Sequence, residues 1–265
     1  MIHDIICVIF NGIINTECII EDWYVRGITV LLEKLGEWLA NNTRPITCTN
    51  NIYKWFSSVL LYLFNDHIKR HNLMQMDQRG AKSECSGTLQ NLLIDNMVFN
   101  DAHDHKRNLS CGWVDVSKAY DSISHKWMEK MLEIHRFPNK LTKVISKIIN
   151  TWNTKLVIPL EAGDVYSDPI KIKTGVFQGD VISGNIYTLS KNPVSWELRR
   201  FDGYTLSKPI KEKITHSLFI DDLKCYNKSV GEQRKMMSHA KALMSDAGLE
   251  WNVKKTKVLN MTGMR

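Results

Sequence analysis

"HSLFIDDLKCYN", residues 216–227, poses the question on which the fold turns. Two acids, Asp221 and Asp222, stand back to back between the apolar run Leu218–Ile220 and a second short run, Leu223–Tyr226. Aspartate is depleted in strands and costly to bury as an ion, so the pair must sit at a tip, be paired, or meet a cation. Both flanking runs have strand character, which makes Asp221-Asp222 a two-residue connection at the tip of a hairpin. Taken alone, such a pair is a solvated turn.

Another acid in a similar setting changes the reading. Asp115 follows Gly112-Trp113-Val114 at the end of an apolar strand, just before a turn into a helix. Strand-end acids from different parts of one sheet can converge on hard divalent cations, which bind carboxylates, water and phosphate oxygens together. Two such ions, about 4 Å apart, activate a hydroxyl and stabilise the leaving oxygen in phosphoryl transfer.

Working outward, residues 1–21 are apolar with no clear period and receive no assignment. A strand starts at Ile28. "NIYKWFSSVLLYLFNDHIKR" (51–70) carries apolar residues at helical spacing, and "GTLQNLLIDNMVFNDAH" (87–103) reads as a second helix with Leu89, Leu92, Leu93 and Met97 on its apolar face. Ser122 or Ser124 is a candidate N-cap for the helix after Asp115. A further helix starts at Asn139, a hairpin turns around residues 162–164, and a helical pattern runs through Trp196 and Leu198. Residues 232–248 form a helix ending at Gly248, followed by a loop and a last strand. Helices and strands alternate irregularly, which argues for an α+β fold.

The chain has 265 residues, 43% of them hydrophobic, enough for a substantial core, and a formal charge of +7 that permits a polyanionic partner. Cys7, Cys18, Cys48, Cys85, Cys111 and Cys225 show no metal-ligand spacing, and reduced thiols in an intracellular compartment account for them, nuclear or cytoplasmic placement being undecided. The apolar stretch from Ile5 to Ile14 is too short to span a bilayer and lacks the basic start of a signal peptide, so no membrane partner is expected. His67 and His71, and His103 with His105, read as polar helix faces rather than zinc ligands. Basic runs such as Arg199-Arg200 are compatible with a nucleic-acid backbone, though each by itself is ordinary surface.

At this point the residues resemble a known family. "VDVSKAYDSISH" (114–125), "GVFQGDVIS" (175–183), "FIDDL" (219–223) and "GLEWNVKKTKVL" (248–259) are similar, in that order, to the A, B, C and D motifs of reverse transcriptases, in particular those of non-LTR (LINE-type) retrotransposons. "ITVLLEK" (28–34), "TRPITCTNNIYK" (43–54) and "DQRGAKSECSGTLQNLLID" (77–95) resemble the finger motifs of the same group. The resemblance covers roughly residues 22–260 and implies a right-hand polymerase fold. Residues 22–110 would be fingers, residues 111–265 an antiparallel palm sheet packed on helices, and residues 1–21 stay unassigned.

It also implies roles. Asp115 and Asp221 would hold two magnesium ions, or manganese, with Asp222 beside them. Tyr120 would exclude a 2′ hydroxyl, or else be the first core aromatic of its helix. Gln178 and Gly179 would lie against a nucleotide or template. Lys255 would protonate the departing pyrophosphate as general acid, and Lys34 and Arg44 would clamp the triphosphate. The expected partners are an RNA template, a DNA primer and deoxynucleoside triphosphates; the oligomeric state is open.

There are departures. Gly184 stands where the family has proline, which would loosen the helix start, and Glu33 precedes Lys34 where proline is usual. After motif D the family continues into a primer grip and a thumb, so the expectation for a chain ending at Arg265 is a palm without its thumb. Three functions are therefore carried forward: an RNA-directed DNA polymerase domain, a decayed retroelement fragment that binds nucleic acid without synthesis, and a magnesium-dependent phosphohydrolase using the same acids.

Overall fold

The computed structural model describes residues 2–19, 26–33, 43–82, 86–158 and 163–263. In chain order the elements are α1 (Ile2–Thr16), β1 (Arg26–Glu33), β2 (Thr43–Cys48), α2 (Asn51–His71), α3 (Gly87–Asp104), β3 (Leu109–Val114), β4 (Val116–Ser117), α4 (Ala119–Ser122), α5 (His125–Ile134), α6 (Asn139–Thr151), β5 (Asn153–Ile158), β6 (Val165–Tyr166), β7 (Ile170–Lys171), α7 (Ser183–Ser190), α8 (Asn192–Leu198), β8 (Tyr204–Thr205), β9 (Lys213–Ile214), β10 (His216–Phe219), β11 (Asp222–Asn227), α9 (Val230–Asp246), β12 (Glu250–Trp251) and β13 (Lys257–Met261). The irregular α+β alternation read from the sequence is the observed one. Among the described residues no helix is long and apolar enough to cross a membrane. The chain divides into two compact units that interleave along the sequence, Met1–His71 with Ile123–Ile186, and Asn72–Ser122 with Tyr187–Arg265.

In the first unit the sheet order is β2-β1-β5-β6, with β7 also on β5. β1 runs antiparallel to β2 and parallel to β5. Thr29, Thr47 and Thr154 are buried where the three strands meet, and their hydroxyls satisfy one another at 2.8 and 2.6 Å from Thr29 Oγ1. α2 buries Tyr53, Phe56, Leu60 and Phe64, and α6 buries Leu141, Val144, Ile145, Ile148 and Ile149, the i, i+3, i+4 spacing of amphipathic helices. Residues 2–16, unassigned from the sequence, are helical because distant partners fix them. Phe10 packs on Phe56 with ring centroids 5.0 Å apart, and Lys140 reaches Asn15 at 3.0 Å.

The second unit is built on an antiparallel sheet in the order β10-β11-β3-β13. α9 packs on β3, β11 and α8. It starts two residues before the position read from the sequence and closes at the expected glycine. Ser229 accepts the Glu232 N–H at 3.2 Å as N-cap, and Gly248, at φ +83°, donates back to Ser245 as the helix closes. Val98, Ala102, Leu109, Cys111, Tyr204, Leu206 and Tyr226 form one buried cluster.

α3 lies in the expected place but turns the opposite face to the sheet. Leu89, Leu92, Leu93 and Met97 are exposed, whereas Val98 and Ala102 are buried. The sheet opposite is polar: Ser217 donates to Asn91 at 2.6 Å, and Lys224 and Tyr226 both donate to Asp95. Buried polar groups need partners, so the Asn91 and Asp95 face is drawn inward against the hydrophobic pattern. Lys224 is also held 4.2 Å above the Trp113 ring.

At the root of β10, His216 is buried, with Nε2 2.8 Å from Ser195 Oγ and Nδ1 2.9 Å from Thr215 Oγ1. Burial pushes its imidazole down to about 4, against the pull of Asp77 and with the push of Arg199, Arg79 and Lys191.

Two outcomes are expected. Val98→Ala should cost about 2 kcal/mol in urea denaturation, whereas Leu93→Ser should stay within about 0.5 kcal/mol; the reverse order would restore the face read from periodicity. Because the folded protein binds fewer protons at His216 than the unfolded chain between the unfolded value and about 4, its contribution is complete above the unfolded value and is lost as pH falls. The wild type should therefore lose on the order of 2 kcal/mol more than His216→Gln between about pH 7 and pH 5. His125 and His135, also shifted down, contribute equally to both proteins, and parallel curves would remove His216 from the account.

Candidate active site

Phe219 pairs with Asp222 across the hairpin, so the two-residue connection is Ile220-Asp221 and Asp222 is the first residue of β11. The expected Asp221-Asp222 tip is thus corrected by one position. Ile220 has φ +53°, the left-handed region in which the first central residue of a primed hairpin turn lies and which a β-branched side chain enters only under strain. Several groups hold it there. Gln78 Oε1 accepts from the N–H of Ile220 at 3.1 Å and of Gly80 at 2.9 Å. Lys191 Nζ donates to the carbonyl oxygens of Ile220 and Asp221 at 3.0 and 2.9 Å. A Cβ on Gly80 would come 2.6 Å from Ile220 N, so only glycine allows this approach. Main-chain bonds from Leu218 to Asp77 and from Arg79 to Leu218 complete the brace.

Asp115 ends β3. Val114 lies opposite Leu223, so Asp115, next after Val114, and Asp222, next before Leu223, leave the ladder at the same end. The Asp115 carbonyl accepts the Asn252 N–H at 2.8 Å, and Asn252 in turn accepts the Lys255 N–H at 3.1 Å. This turn brings Lys255 Nζ to 4.0 Å from Asp115 Oδ2, with the lysine side chain 70% exposed. Asp115, Asp222, Lys224, Trp113 and Lys255 line a hollow of about 510 Å³. Burial first, then neighbouring Asp221 and, more weakly, Asp115, push the Asp222 carboxyl up, opposed by Lys191.

Among the described residues no three His, Cys, Asp or Glu side chains form a ready-made metal cage. Magnesium does not require one, because it keeps water and takes one or two carboxylates together with substrate phosphates. The donor set of Asp115, Asp221 and Asp222 fits such an ion.

Tyr120, on α4, is half-buried. Its ring stacks on Tyr187 with centroids 4.9 Å apart and planes at 20°. Burial, then Asp221, push its hydroxyl above the usual range. Lys191 Nζ lies 5.9 Å from the Tyr187 ring centre, so the two tyrosines and the lysine form a column ending at the carboxylate turn. The Tyr187 hydroxyl is buried without a hydrogen-bond partner.

Gln178, Gly179 and Arg44 belong to the first unit. Gln178 bridges to Ile46, its carbonyl accepting the Thr47 N–H at 2.8 Å. Gly179 has φ +120°, and a Cβ there would meet Thr47 O at 2.6 Å. Arg44 is exposed on β2, the strand that Gln178 joins. Lys34 lies outside the described residues. The expected loosening at Gly184 is not seen. α7 starts at Ser183, whose hydroxyl reaches buried Asp180 at 3.3 Å, while Ser57 donates to the same carboxylate at 3.0 Å. Burial pushes the Asp180 carboxyl up.

Sequence reasoning missed Gln78, Gly80, Asp180 and Lys191. A signal existed for the last, the one basic residue in the helical run "IYTLSKNPVSWEL" (186–198). Arg199 and Arg200, read as a phosphate track, are ion-paired with Asp77 and Glu197. His67 contacts the His135 carbonyl at 3.1 Å.

Comparison with known proteins agrees with this geometry. A family model described as reverse transcriptase (RNA-dependent DNA polymerase) matches residues 32–264. The chain is 24% identical over 237 residues to a retrovirus-related Pol polyprotein from type-1 retrotransposable element R2 of Nasonia vitripennis, covering 89% of this chain and 22% of the relative. It is 24% identical over 222 residues to the corresponding polyprotein from type-2 element R2DM of Drosophila melanogaster, covering 83% and 20%. The chain thus spans about a fifth of the length of these relatives. Among solved structures, apo telomerase from Candida tropicalis superposes with a TM-score of 0.63 at 13% identity, over 90% of this chain and 44% of that one. Telomerase of the same organism in complex with a fragment of telomeric RNA gives 0.61 at 16%, over 89% and 41%. The non-LTR resemblance and the polymerase fold expected from the motifs are both borne out, and this chain belongs to the reverse transcriptase (RNA-dependent DNA polymerase) family.

Proposed function

We propose that this chain carries the nucleotidyl-transfer site of an RNA-directed DNA polymerase of the non-LTR retrotransposon type, extending a DNA primer on an RNA template with deoxynucleoside triphosphates. One observation supports the reading: Asp115, just after β3, and Asp222, at the start of β11, line one hollow at the end of the same antiparallel sheet, with Asp221 next to Asp222 in the turn, from two segments about a hundred residues apart.

Two divalent ions held there would activate the primer 3′ hydroxyl and stabilise the pyrophosphate leaving group. Asp115 and Asp221 would hold those ions, and Asp222 would add to the local negative charge that attracts them. Lys255, exposed and ion-paired with Asp115, is free to swing toward a leaving pyrophosphate and give up its proton. Tyr120, backed by Tyr187, offers a fixed edge against a 2′ hydroxyl. Arg44, Gln178 and Gly179 are assigned by family to the incoming nucleotide and template, as is Lys34. The RNA fragment in the telomerase neighbour supports RNA as the template class. An intracellular setting belongs to the same proposal.

Primer extension on a primed RNA template with magnesium tests the reading. Asp115→Asn and Asp221→Asn should each lower the rate about a thousandfold with little change in melting temperature. Tight binding of template-primer with no extension by the wild type would instead support a binding fragment, and cleavage without synthesis a phosphohydrolase. Tyr120→Val separates the two roles of that ring. A gate predicts about tenfold more ribonucleotide incorporation; a core aromatic predicts lower thermal stability with unchanged sugar discrimination.

A further inference from the structure

The most demanding side chain near the acids is one that touches no substrate. Lys191, between α7 and α8, is 1% exposed. A buried ammonium is costly unless its hydrogens are satisfied. Ile186, Tyr187, Leu189, Val194 and Leu198 are buried in the same two helices together with Thr188, Ser190, Asn192 and Ser195, so Lys191 is the one charged side chain in a buried stretch of apolar and small polar residues. Replacing a buried charge by a packed apolar group is often neutral or stabilising, so stability does not explain a lysine here.

What explains it is the choice of acceptors. Among the described residues, the ammonium donates to the main-chain oxygens of Ile220 and Asp221, not to the carboxylates. A lysine paired with the Asp221 or Asp222 side chain would compete with any cation for the same oxygens. One bonded to the carbonyls fixes the backbone that carries those side chains and leaves their oxygens open. It acts where Ile220 is strained at φ +53° and a second donor is needed besides the Gln78 amide, 3.5 Å from the Ile220 carbonyl.

Resting on the polymerase reading above, we infer that Lys191 is a positioning residue for phosphoryl transfer: it clamps the main chain of the Ile220-Asp221 turn so that the acids meet their ligands in one geometry. Its charge is incidental to that clamp and its hydrogen bonds are essential to it.

The test is Lys191→Met, of similar shape without donors, compared with wild type, with Asp221→Asn and with Leu198→Ala, a core variant of lowered stability. Melting temperature, steady-state primer extension, and Mn²⁺ binding to the protein alone by electron paramagnetic resonance are measured. Lys191→Met should melt within about 4 °C of wild type. Its kcat should fall about a hundredfold, with KM for the deoxynucleotide changed less than about threefold, and Mn²⁺ binding should weaken about tenfold. A lysine acting only by charge predicts the opposite sign, tighter Mn²⁺ binding once the repelling cation is gone, and that result overturns the inference. So does unchanged kcat, or an equal loss of kcat in Leu198→Ala at matched melting temperature. If wild type fails to extend primers yet binds Mn²⁺ through Asp221, the polymerase reading falls while the Mn²⁺ comparison still decides the role of Lys191. Absence of Asp221-dependent binding in wild type overturns both.

Discussion

A left-handed isoleucine is the constraint on which the second unit depends. At φ +53°, Ile220 costs on the order of 1–3 kcal/mol relative to an ordinary turn residue, and nothing within the hairpin itself compensates it. The compensation is tertiary. Gln78 and Gly80 reach the turn from a segment 142 residues earlier, and Lys191 reaches it from the junction of two buried helices. The acids thus sit on a turn whose shape is dictated by the unit around it, so their geometry is only as well defined as the packing of residues 77–80 and 191.

This dependence explains what was legible in the sequence. Local chemistry marked the hairpin, the strand end at Asp115, the Ser124 cap and the Gly248 stop, because each is decided within a few residues. Asp115, Asp222 and Lys255 line one hollow because strand-end and hairpin positions are local properties that a sheet then aligns. The turn was misplaced by one residue because isoleucine is among the least suited to φ > 0, and only remote hydrogen bonds force it there. α3 was read with its faces exchanged for a related reason. Apolar periodicity pointed to Leu89, Leu92 and Leu93, while the polar groups Ser217, Lys224 and Tyr226 demanded Asn91 and Asp95. Residues 2–16 had no period of their own and are helical through partners on α6.

The charges around the sheet end divide by how fully they are committed. Lys224 is spent on Asp95 and on three aromatic rings, and Arg199 on Asp77, so neither meets a phosphate without breaking an existing ion pair. Lys191 is committed to main-chain oxygens. Lys255 alone of these four has an ion pair with Asp115, at the outer limit of such a pair and with most of its side chain in water. A cation arriving at Asp115 would displace that contact and free the lysine, which ties the binding of one charge to the release of another.

Strain and stiffness at the turn then have one cause. A glycine at 220 would occupy φ +53° without penalty, but would also visit many other conformations and let the Asp221 carboxylate wander. Isoleucine resists the conformation, yet once Gln78, Gly80 and Lys191 impose it, its branched side chain has few alternatives left. For a reaction in which a misplacement of about 1 Å costs about a hundredfold in rate, a strained residue that can move little is a better support than a relaxed one that can move freely. The instability of the residue and the precision of the site come from the same methyl branch at Cβ.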